Sequence, residues 1–288
     1  MSPTDAAVSQ PAHRYRADAA WRRIILRARP RPAWRVVALR LCCIGIPLAM
    51  WEIAVRTGMA QVFFFGQPSQ VVSYLVTSLA NGSLIVNSGV TLSEQIIGLT
   101  LGTLVGSAIA LSLWWSSFLS RVLEGYAVIL NATPKIVIAP LLVVWFGFGM
   151  TSKVMIAVLI TSIVAWLGAF DGVRRCDPDQ ADLVRALGGS ERQVFAKIVV
   201  PSALPYIFAT LRLNIGFSLL GVITGEFLSS TAGLGYLVDS TSKTYQMSDT
   251  LGAIVAIAVI AALELWVLVR LEARLIGWSD GVAAITGG

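Results

Sequence analysis

The sequence predicts an all-α, polytopic membrane protein with six transmembrane helices. Of its 288 residues, 56% are hydrophobic and only 13% are charged, whereas a soluble domain carries about a quarter charged residues. The apolar residues also lie in runs close to the ~20 residues that cross about 30 Å of hydrocarbon. Arginine and lysine are concentrated in alternate connections between these runs, as expected of a chain that crosses a membrane repeatedly.

Six runs are long and apolar enough to be spans. They cover residues 37–55, 89–114, 122–146, 153–173, 206–228 and 250–270. A further apolar stretch, 62–80, is interrupted by Gly66 and Pro68, and the residues from Pro68 to Asn81 are too few to cross. We therefore predict an interfacial helix there, on the outer side.

One transmembrane domain, residues 37–272, takes up most of the chain. It lies between a basic segment at 1–36, which we expect to anchor the chain at the inner leaflet, and a short tail at 273–288. No apolar core follows the first basic residues at the distance usual for a signal peptide, so we expect none.

The distribution of basic residues predicts that both termini are cytoplasmic, because loops rich in lysine and arginine stay on that side. Nine arginines precede or begin the first span, whereas residues 57–88 carry no charge. The basic connections at 115–121 and 174–205 fall on the side of the N-terminus. The net charge of +6 therefore follows from topology near anionic lipid, and we expect no nucleic-acid partner.

Catalysis and metal binding are not predicted. Cys42 and Cys43 fall within the first span and Cys176 in a cytoplasmic connection, which is not a disulfide framework. His13 is the one histidine, so neither a metal cluster nor a nucleophilic pair has suitable spacing. No glycine-rich phosphate loop is present either. The chain is predicted to be no enzyme and to bind no cofactor, so uphill transport would need a partner or an ion gradient.

A polar and basic segment, Asp182–Pro201, lies between two apolar runs on the predicted cytoplasmic side. The residues around its start predict a helix at Asp179–Ala186. Pro178 suits the first turn, and Asp177 or Asp179 can serve as the cap. Apolar residues at helical spacing give this helix one oily face.

A second helix is predicted at an angle to the first. Gly188-Gly189 ends the first helix with the conformational freedom that a sharp turn requires. Ser190 then caps a helix at Glu191–Val200, which Pro201 follows. Such a helix pair could insert into a cleft of a soluble protein. The alternative is a solvated linker with incidental helices, and the pattern alone favours neither.

The spacing within this segment resembles a known motif. The matching residues are Asp182, Leu183, Val184, Gly188, Ile198, Val200 and Pro201. They resemble the EAA motif of ATP-binding-cassette (ABC) importer permeases, in which an acid and two alanines precede a glycine, an isoleucine and a Leu-Pro pair. The spacing is kept throughout. Aspartate replaces the glutamate, leucine and valine replace the alanines, and valine replaces the leucine.

Other stretches resemble the nitrate/sulfonate/taurine-type permeases in particular. They are Asn131–Leu141, Trp145–Gly149, Gly172–Arg174, Leu211-Arg212 and Gly233–Tyr236. The resemblance extends over roughly residues 65–272. It implies a type I ABC importer-like fold, in which each subunit has six transmembrane helices and cytoplasmic coupling helices.

The resemblance also implies partner proteins and a cellular location. The permease would work as a dimer, most simply a homodimer, with two ATPase subunits that carry ATP and Mg, and with an extracytoplasmic solute-binding protein. It would lie in the bacterial cytoplasmic (inner) membrane. The ATPase-coupling loop would consist of Asp182, Leu183, Val184, Gly188, Gly189, Ile198 and Pro201.

Polar residues within the predicted spans require a reason, because burying them in hydrocarbon is costly. The candidates for a translocation path are Asn131, Lys135, Asn214, Thr224 and Glu226. Lys135 would favour an anion, and the prolines Pro134 and Pro140 could kink the third span around it. Alternatively, Lys135 snorkels or pairs with an acid, and Glu226 makes a structural hydrogen bond. Asp171 and Arg212 could pair across helices.

Small residues recur every four positions on the second span, at Gly98, Gly102, Gly106 and Ala110. Such a row allows close helix packing, which we predict within one subunit, with a dimer seam as the alternative.

The predicted function is the permease subunit of an ATP-driven ABC importer for a small anionic solute, such as nitrate, a sulfonate or taurine. Two other classes remain at this stage. An ion-coupled carrier or channel could share the six spans, but it would not need the helix pair at Asp182–Pro201. A membrane-embedded enzyme would need a catalytic cluster.

Overall fold

The computed structural model of the chain describes residues 33–275, which contain only helices and short connections. The predicted basic segment 1–36 and tail 273–288 therefore lie almost wholly outside the described residues. The α-helices are α1 (Ala33–Arg56), α2 (Val62–Phe65), α3 (Pro68–Ala80), α4 (Ser83–Ser112), α5 (Ser117–Ala132), α6 (Ala139–Phe146), α7 (Met150–Arg174), α8 (Pro178–Ala186), α9 (Glu191–Val194), α10 (Val200–Ser229), α11 (Leu234–Lys243) and α12 (Met247–Leu275). Two 3₁₀ helices, Leu113–Trp115 and Lys135–Ile138, and a π-helix, Phe195–Val199, join some of them.

Within this range, five helices are long and apolar enough to cross a membrane, or six if one bent pair forms a single span. The straight candidates are Val37–Arg56, Ser83–Trp115, Met150–Arg174, Glu191–Ser229 and Met247–Arg274. This confirms the all-helical, polytopic architecture. A helix is present where the interfacial one was expected, as α3, and its position at the membrane interface stays a prediction.

The third predicted span, 122–146, is broken rather than continuous. Its two parts, Ser117–Ala132 and Lys135–Phe146, are bent by 80°. Thr133 is extended, with φ −73° and ψ 134°, because a following proline disfavours helical backbone at that position. The predicted kink at Pro134 is thus a complete break. Pro140 kinks nothing, since it lies in the first turn of α6, where its missing N–H costs no hydrogen bond.

Helices α4, α7 and α10 make the most extensive mutual contacts. The glycine row of α4 faces α7 so closely that a Cβ at Gly102 would lie 1.9 Å from Thr161 Oγ1. A Cβ at Gly106 would lie 2.0 Å from the carbonyl oxygen of Ser162. The row therefore packs within one subunit, which confirms the prediction.

The direction of these helices places the connecting elements. Contacts advance together along α4 and α7, from Gly98 against Ala157 to Gly102 against Thr161, so these helices are parallel. Helix α10 runs the opposite way, since Gly168 meets Thr210 while Ala157 meets Gly221. Consequently α3 and α11 lie at one end of the bundle and α8 lies at the other.

The second helix predicted in the cytoplasmic segment does not stop at Pro201. Instead α9 passes through the π-helix into α10, and the helical run Glu191–Ser229 is 39 residues long. Pro201 falls in the first turn of α10, just where the hydrogen-bond register changes, so its missing N–H is tolerated. A single long helix thus connects the segment to the fifth span.

Candidate coupling segment and translocation path

The coupling segment, residues 177–201, begins with a capped helix. The Asp177 carboxylate accepts a hydrogen bond from the Asp179 N–H at 3.0 Å, and Pro178 occupies the first turn of α8. Of the two aspartates proposed as caps, Asp177 is the one that serves. This contact satisfies a backbone donor that would otherwise lack a partner at the start of the helix.

The turn after α8 depends on its two glycines. Gly188 has φ +82°, a left-handed conformation that glycine adopts without strain. The Gly188 N–H donates to Arg185 O and the Gly189 N–H to Val184 O, both at 2.9 Å, which is the Schellman pattern. A Cβ at Gly189 would lie 2.6 Å from Val184 Cγ1. The turn is therefore sharp and closely packed.

Arg185 bridges the two arms of the turn. Its guanidinium donates to both carboxylate oxygens of Glu191, at 2.7 and 3.0 Å, and to Asp182 at 2.8 Å. Hydrogen bonds to Glu191 and then to Asp182 raise the pKa of Arg185 above its usual value. Arg185 was not among the predicted coupling residues. Its pairing with Asp182 three residues before it is a visible helical signal, whereas the contact to Glu191 forms only because the chain turns between α8 and α9.

An apolar cluster attaches the coupling segment to the ends of the spans. It comprises Val173, Ala181, Val194, Val199 and Ala203, all buried. Outside this cluster, Leu183 and Leu187 are 60% and 79% exposed. The segment is thus anchored on one side and offers two leucines on the other.

All seven predicted coupling residues lie in or next to this segment. Asp182 and Leu183 are exposed on α8, Val184 packs on the turn, and the two glycines form it. Ile198 is half-buried in the π-helix and Pro201 starts α10. Their contact with an ATPase stays a prediction.

Lys135 lies at the break in the third span, just past the end of α5. Its ammonium donates to Asn131 O at 3.1 Å, to Asn131 Oδ1 at 3.3 Å and to Leu130 O at 3.4 Å. Among residues 33–275 the ammonium has no carboxylate partner, so the alternative of an acid pair is not realised there. The broken helix instead presents a lysine held by carbonyl dipoles.

The other predicted path residues divide into exposed and buried positions. Asn131 is exposed beside Lys135, and the half-exposed Thr224 donates to the carbonyl of its own helix at 2.7 Å. Asn214 is fully buried and donates to Thr103 Oγ1 at 3.2 Å and to Thr161 O at 3.1 Å. Glu226 is also buried and accepts from the Thr91 hydroxyl at 2.7 Å. The role of all five in transport stays a prediction.

The pairing suggested for Asp171 and Arg212 is wrong. Arg212 instead donates to Glu272 Oε2 from two guanidinium nitrogens, at 2.5 and 3.0 Å. The partner lies 60 residues away on α12, beyond the reach of any local pattern. This ion pair ties α10 to α12 near the same end as the coupling segment.

Comparisons with known proteins agree with this geometry. The chain is 33% identical to a probable ABC transporter permease protein of Haemophilus influenzae, over 77% of this chain and 89% of that one. It is 27% identical to a formylaminopyrimidine transport permease protein of Halalkalibacterium halodurans, over 80% and 92%. It is 25% identical to a putative aliphatic sulfonates transport permease protein of Bacillus subtilis, over 82% and 86%.

Solved structures share the fold. The described helices superpose on the crystal structure of an amino acid ABC transporter with a TM-score of 0.55, covering 70% of this chain and 97% of that one at 20% identity. Residues 98–276 match the family described as the binding-protein-dependent transport system inner membrane component. The chain belongs to this family.

The permease is accordingly the multi-pass inner-membrane subunit of an ABC importer. ATP hydrolysis takes place on separate ATPase subunits, and a binding protein delivers the solute. Among residues 33–275, no group of three His, Cys, Asp or Glu residues could hold a metal ion.

Proposed function

We propose that the permease forms the path for a small anionic solute, such as a sulfonate, taurine or nitrate, delivered by its binding protein. Lys135, at the break of the third span, is the observation that carries the proposal. The similarity to the aliphatic sulfonates permease supports it.

The charge around Lys135 favours an anion. Its ammonium bears one full positive charge, while the carbonyls at the end of α5 contribute about half a negative charge in total. With no carboxylate partner among residues 33–275, the site keeps a net positive potential. Broken helices inside a membrane are tolerated where they line a cavity, and an ionisable residue there marks a solute path. Asn131 and Thr224 would line the same path, with buried Asn214 and Glu226 fixing the wall behind it.

We also propose how ATP binding reaches this path. Two copies of the permease pair, both with cytoplasmic termini, and each coupling segment docks on one ATPase subunit through Leu183 and Leu187. When ATP, with Mg, draws the ATPases together, the continuous run from α9 into α10 carries the motion into the spans. The capped turn, the arginine bridge and the apolar anchor give this segment the necessary stiffness.

Reconstitution tests the solute class. The permease, its ATPase subunits and its binding protein are placed in proteoliposomes, and uptake of labelled taurine, an aliphatic sulfonate and nitrate is measured. We expect uptake of one of these solutes, each of which carries an anionic group, at least tenfold lower in Lys135→Met and largely kept in Lys135→Arg. Lys243→Met serves as the control, because Lys243 is exposed and pairs with Asp239 on its own helix, α11.

A second candidate solute is a formylaminopyrimidine, favoured by the similarity to the permease that transports it. Uptake of this compound, unaffected by Lys135→Met, together with no uptake of taurine, the sulfonate or nitrate, would overturn the anionic proposal.

A further inference from the structure

Three ionisable side chains lie together inside the bundle, and none of them belongs to the coupling segment. They are Glu94 on α4, Lys153 on α7 and Glu226 on α10, and they are 2%, 4% and 1% exposed. Burying charge is costly unless it is paired and hydrogen-bonded. Each charge in this cluster therefore needs an opposite charge or a hydrogen-bond partner within it.

The contacts of the cluster are specific. Lys153 Nζ lies 2.5 Å from Glu94 Oε1 and donates to Ser230 Oγ at 3.1 Å. Glu226 accepts from the Thr91 hydroxyl at 2.7 Å and from the Gly235 N–H at 2.5 Å. Thr91 and Glu94 are three residues apart on α4, so the hydrogen bond from Thr91 places the Glu226 carboxyl beside that of Glu94. Four elements thus meet at this point.

If both acids were ionised, the charges would not balance. Lys153 is the one basic side chain of residues 33–275 that pairs with either acid, and α11 contributes only backbone N–H groups. Two carboxylates against one ammonium leave a negative charge in a medium where an unpaired ion costs several kcal/mol. Adjacent carboxylates in such a site relieve the repulsion by keeping a proton.

An unsatisfied atom points to the same proton. Glu94 Oε2 is buried and has no hydrogen-bond donor among residues 33–275, and Glu226 lies nearby against the same face of α4. A buried acceptor without a donor costs about 1–3 kcal/mol. One proton on Glu226 supplies the missing donor and removes the excess charge together.

We propose that Glu226 is a neutral carboxylic acid whose O–H donates to Glu94 Oε2, so that the cluster binds one proton. Glu94 is the ionised partner because it faces the Lys153 ammonium at 2.5 Å. Glu226 faces only neutral donors, the Thr91 hydroxyl and the Gly235 N–H.

The proton site has a mechanical role at the start of α11. The first N–H groups of this helix donate to Thr91 and Glu226. A Cβ at Gly233 would lie 2.1 Å from Glu226 Oε1, and one at Gly235 would lie 2.6 Å from Oε2. Glycine at both positions lets the carboxyl reach the backbone. The protonated acid thus fastens α11 to α4 and α10.

Infrared spectroscopy of the purified full-length permease tests the proposal directly. We expect a carbonyl band from a protonated carboxylic acid at neutral pH, which shifts in heavy water and is lost in Glu226→Gln. Glu264→Gln is the matched control, because Glu264 is another acid within the bundle, bonded to Gln95 at 3.0 Å, and the Glu226 band should survive in it. A Glu226→Gln spectrum with the same protonated-acid intensity as the wild type would overturn the proposal.

Stability against pH provides a second readout. A proton held by the folded state and released on unfolding stabilises the fold at low pH, and this contribution is lost as pH rises. Glu226→Gln mimics the neutral acid, so its melting temperature should fall less than that of the wild type as pH rises from about 4.3, the pKa of an unfolded glutamate, through neutral values. If the melting temperatures of the wild type and of Glu226→Gln depended on pH in the same way, the proposed proton on Glu226 would be contradicted.

A double variant covers the case in which the single one does not fold. Glu94→Gln/Lys153→Met removes the ion pair as a unit and leaves Glu226 neutral among neutral partners. We expect it to fold and to keep the infrared band of Glu226. The double variant replaces a neutral ion pair by neutral side chains, so Glu226 faces the same net charge as in the wild type. Loss of the band in the folded double variant would show that Glu226 is ionised in these surroundings, which would overturn the proposal.

Discussion

Arg185 sets how firmly the two arms of the coupling segment are held together, and the first prediction concerns it. Arg185→Gln removes the bidentate contact to Glu191, so we expect weaker stimulation of ATPase activity by substrate in the reconstituted importer. Protein yield should change little, since exposed ion pairs contribute about 0–1 kcal/mol. Arg185→Lys should be intermediate, because an ammonium cannot reproduce the fork geometry.

Arg192→Gln is the control for this prediction, since Arg192 takes no part in the bridge. Full substrate stimulation in Arg185→Gln would show that the bridge contributes nothing to coupling.

At this scale, the sequence predicts what depends on neighbouring residues. Asp177 as a cap and Gly188 as a turn follow from positions within one or two turns, and the structure has both. The partners of Arg212 and Glu94 lie 60 and 59 residues away in sequence. Their pairing is decided by how helices are oriented in the bundle, which no local pattern records.

The turn between α8 and α9 provides the second prediction. A Cβ at Gly188 would meet nothing within 4 Å, so substitution strains only the backbone, at about 1–2 kcal/mol for an L-residue in the left-handed region. Gly188→Val should therefore insert normally yet lose substrate-stimulated ATPase activity, because the turn changes shape. Gly188→Asn should retain most of it, since asparagine tolerates this conformation.

Membrane insertion and ATPase stimulation are measured on the same reconstituted samples of these variants. Normal substrate stimulation of ATPase activity in Gly188→Val would contradict the claim that the geometry of this turn transmits the motion.

Contact between α4 and α7 is the subject of the third prediction. At Gly102 a Cβ would lie 1.9 Å from Thr161 Oγ1, so Gly102→Ala forces the two central helices apart. We expect a lower melting temperature and lower folded yield in detergent. Gly216→Ala on α10 is matched to it, because its Cβ would meet nothing within 4 Å. It should be neutral or slightly stabilising, as alanine favours a helix by about 1 kcal/mol. Equal melting temperatures for the two variants would contradict the packing argument.

The broken third span shows how far elements can be predicted. Hydropathy alone joined residues 122–146 into one helix, because both halves are apolar. Pro134 signalled a kink, but whether a kink becomes an 80° break depends on what covers the freed backbone groups. The same limit applies to α9, where Pro201 suggested an end and the π-helix allows the run to continue.

For the whole molecule, packing and charge give one consistent topology. Because α4 and α7 are parallel, the chain must cross the membrane an odd number of times between them, and the broken span supplies that one crossing. This helix arrangement puts the coupling segment at the end opposite α3 and α11. The basic connections at 115–121 and 174–205 lie at the same end as the coupling segment. From the charge distribution we expect this end to face the cytoplasm.

Cysteine labelling tests that assignment. Replacing Cys42 and Cys43 by serine leaves Cys176, between α7 and α8, as the sole cysteine of the three. A membrane-impermeant maleimide should label it in inside-out vesicles and spare it in right-side-out ones. Burial raises the pKa of the Cys176 thiol, so labelling should be slow at neutral pH and faster as pH rises towards mildly alkaline values, where more thiolate is present. Asn81→Cys in a cysteine-free background, at the exposed end of α3, should show the opposite sidedness. Labelling of Cys176 from outside intact cells would invert the topology, and with it the proposed contact between the coupling segment and the ATPase subunits.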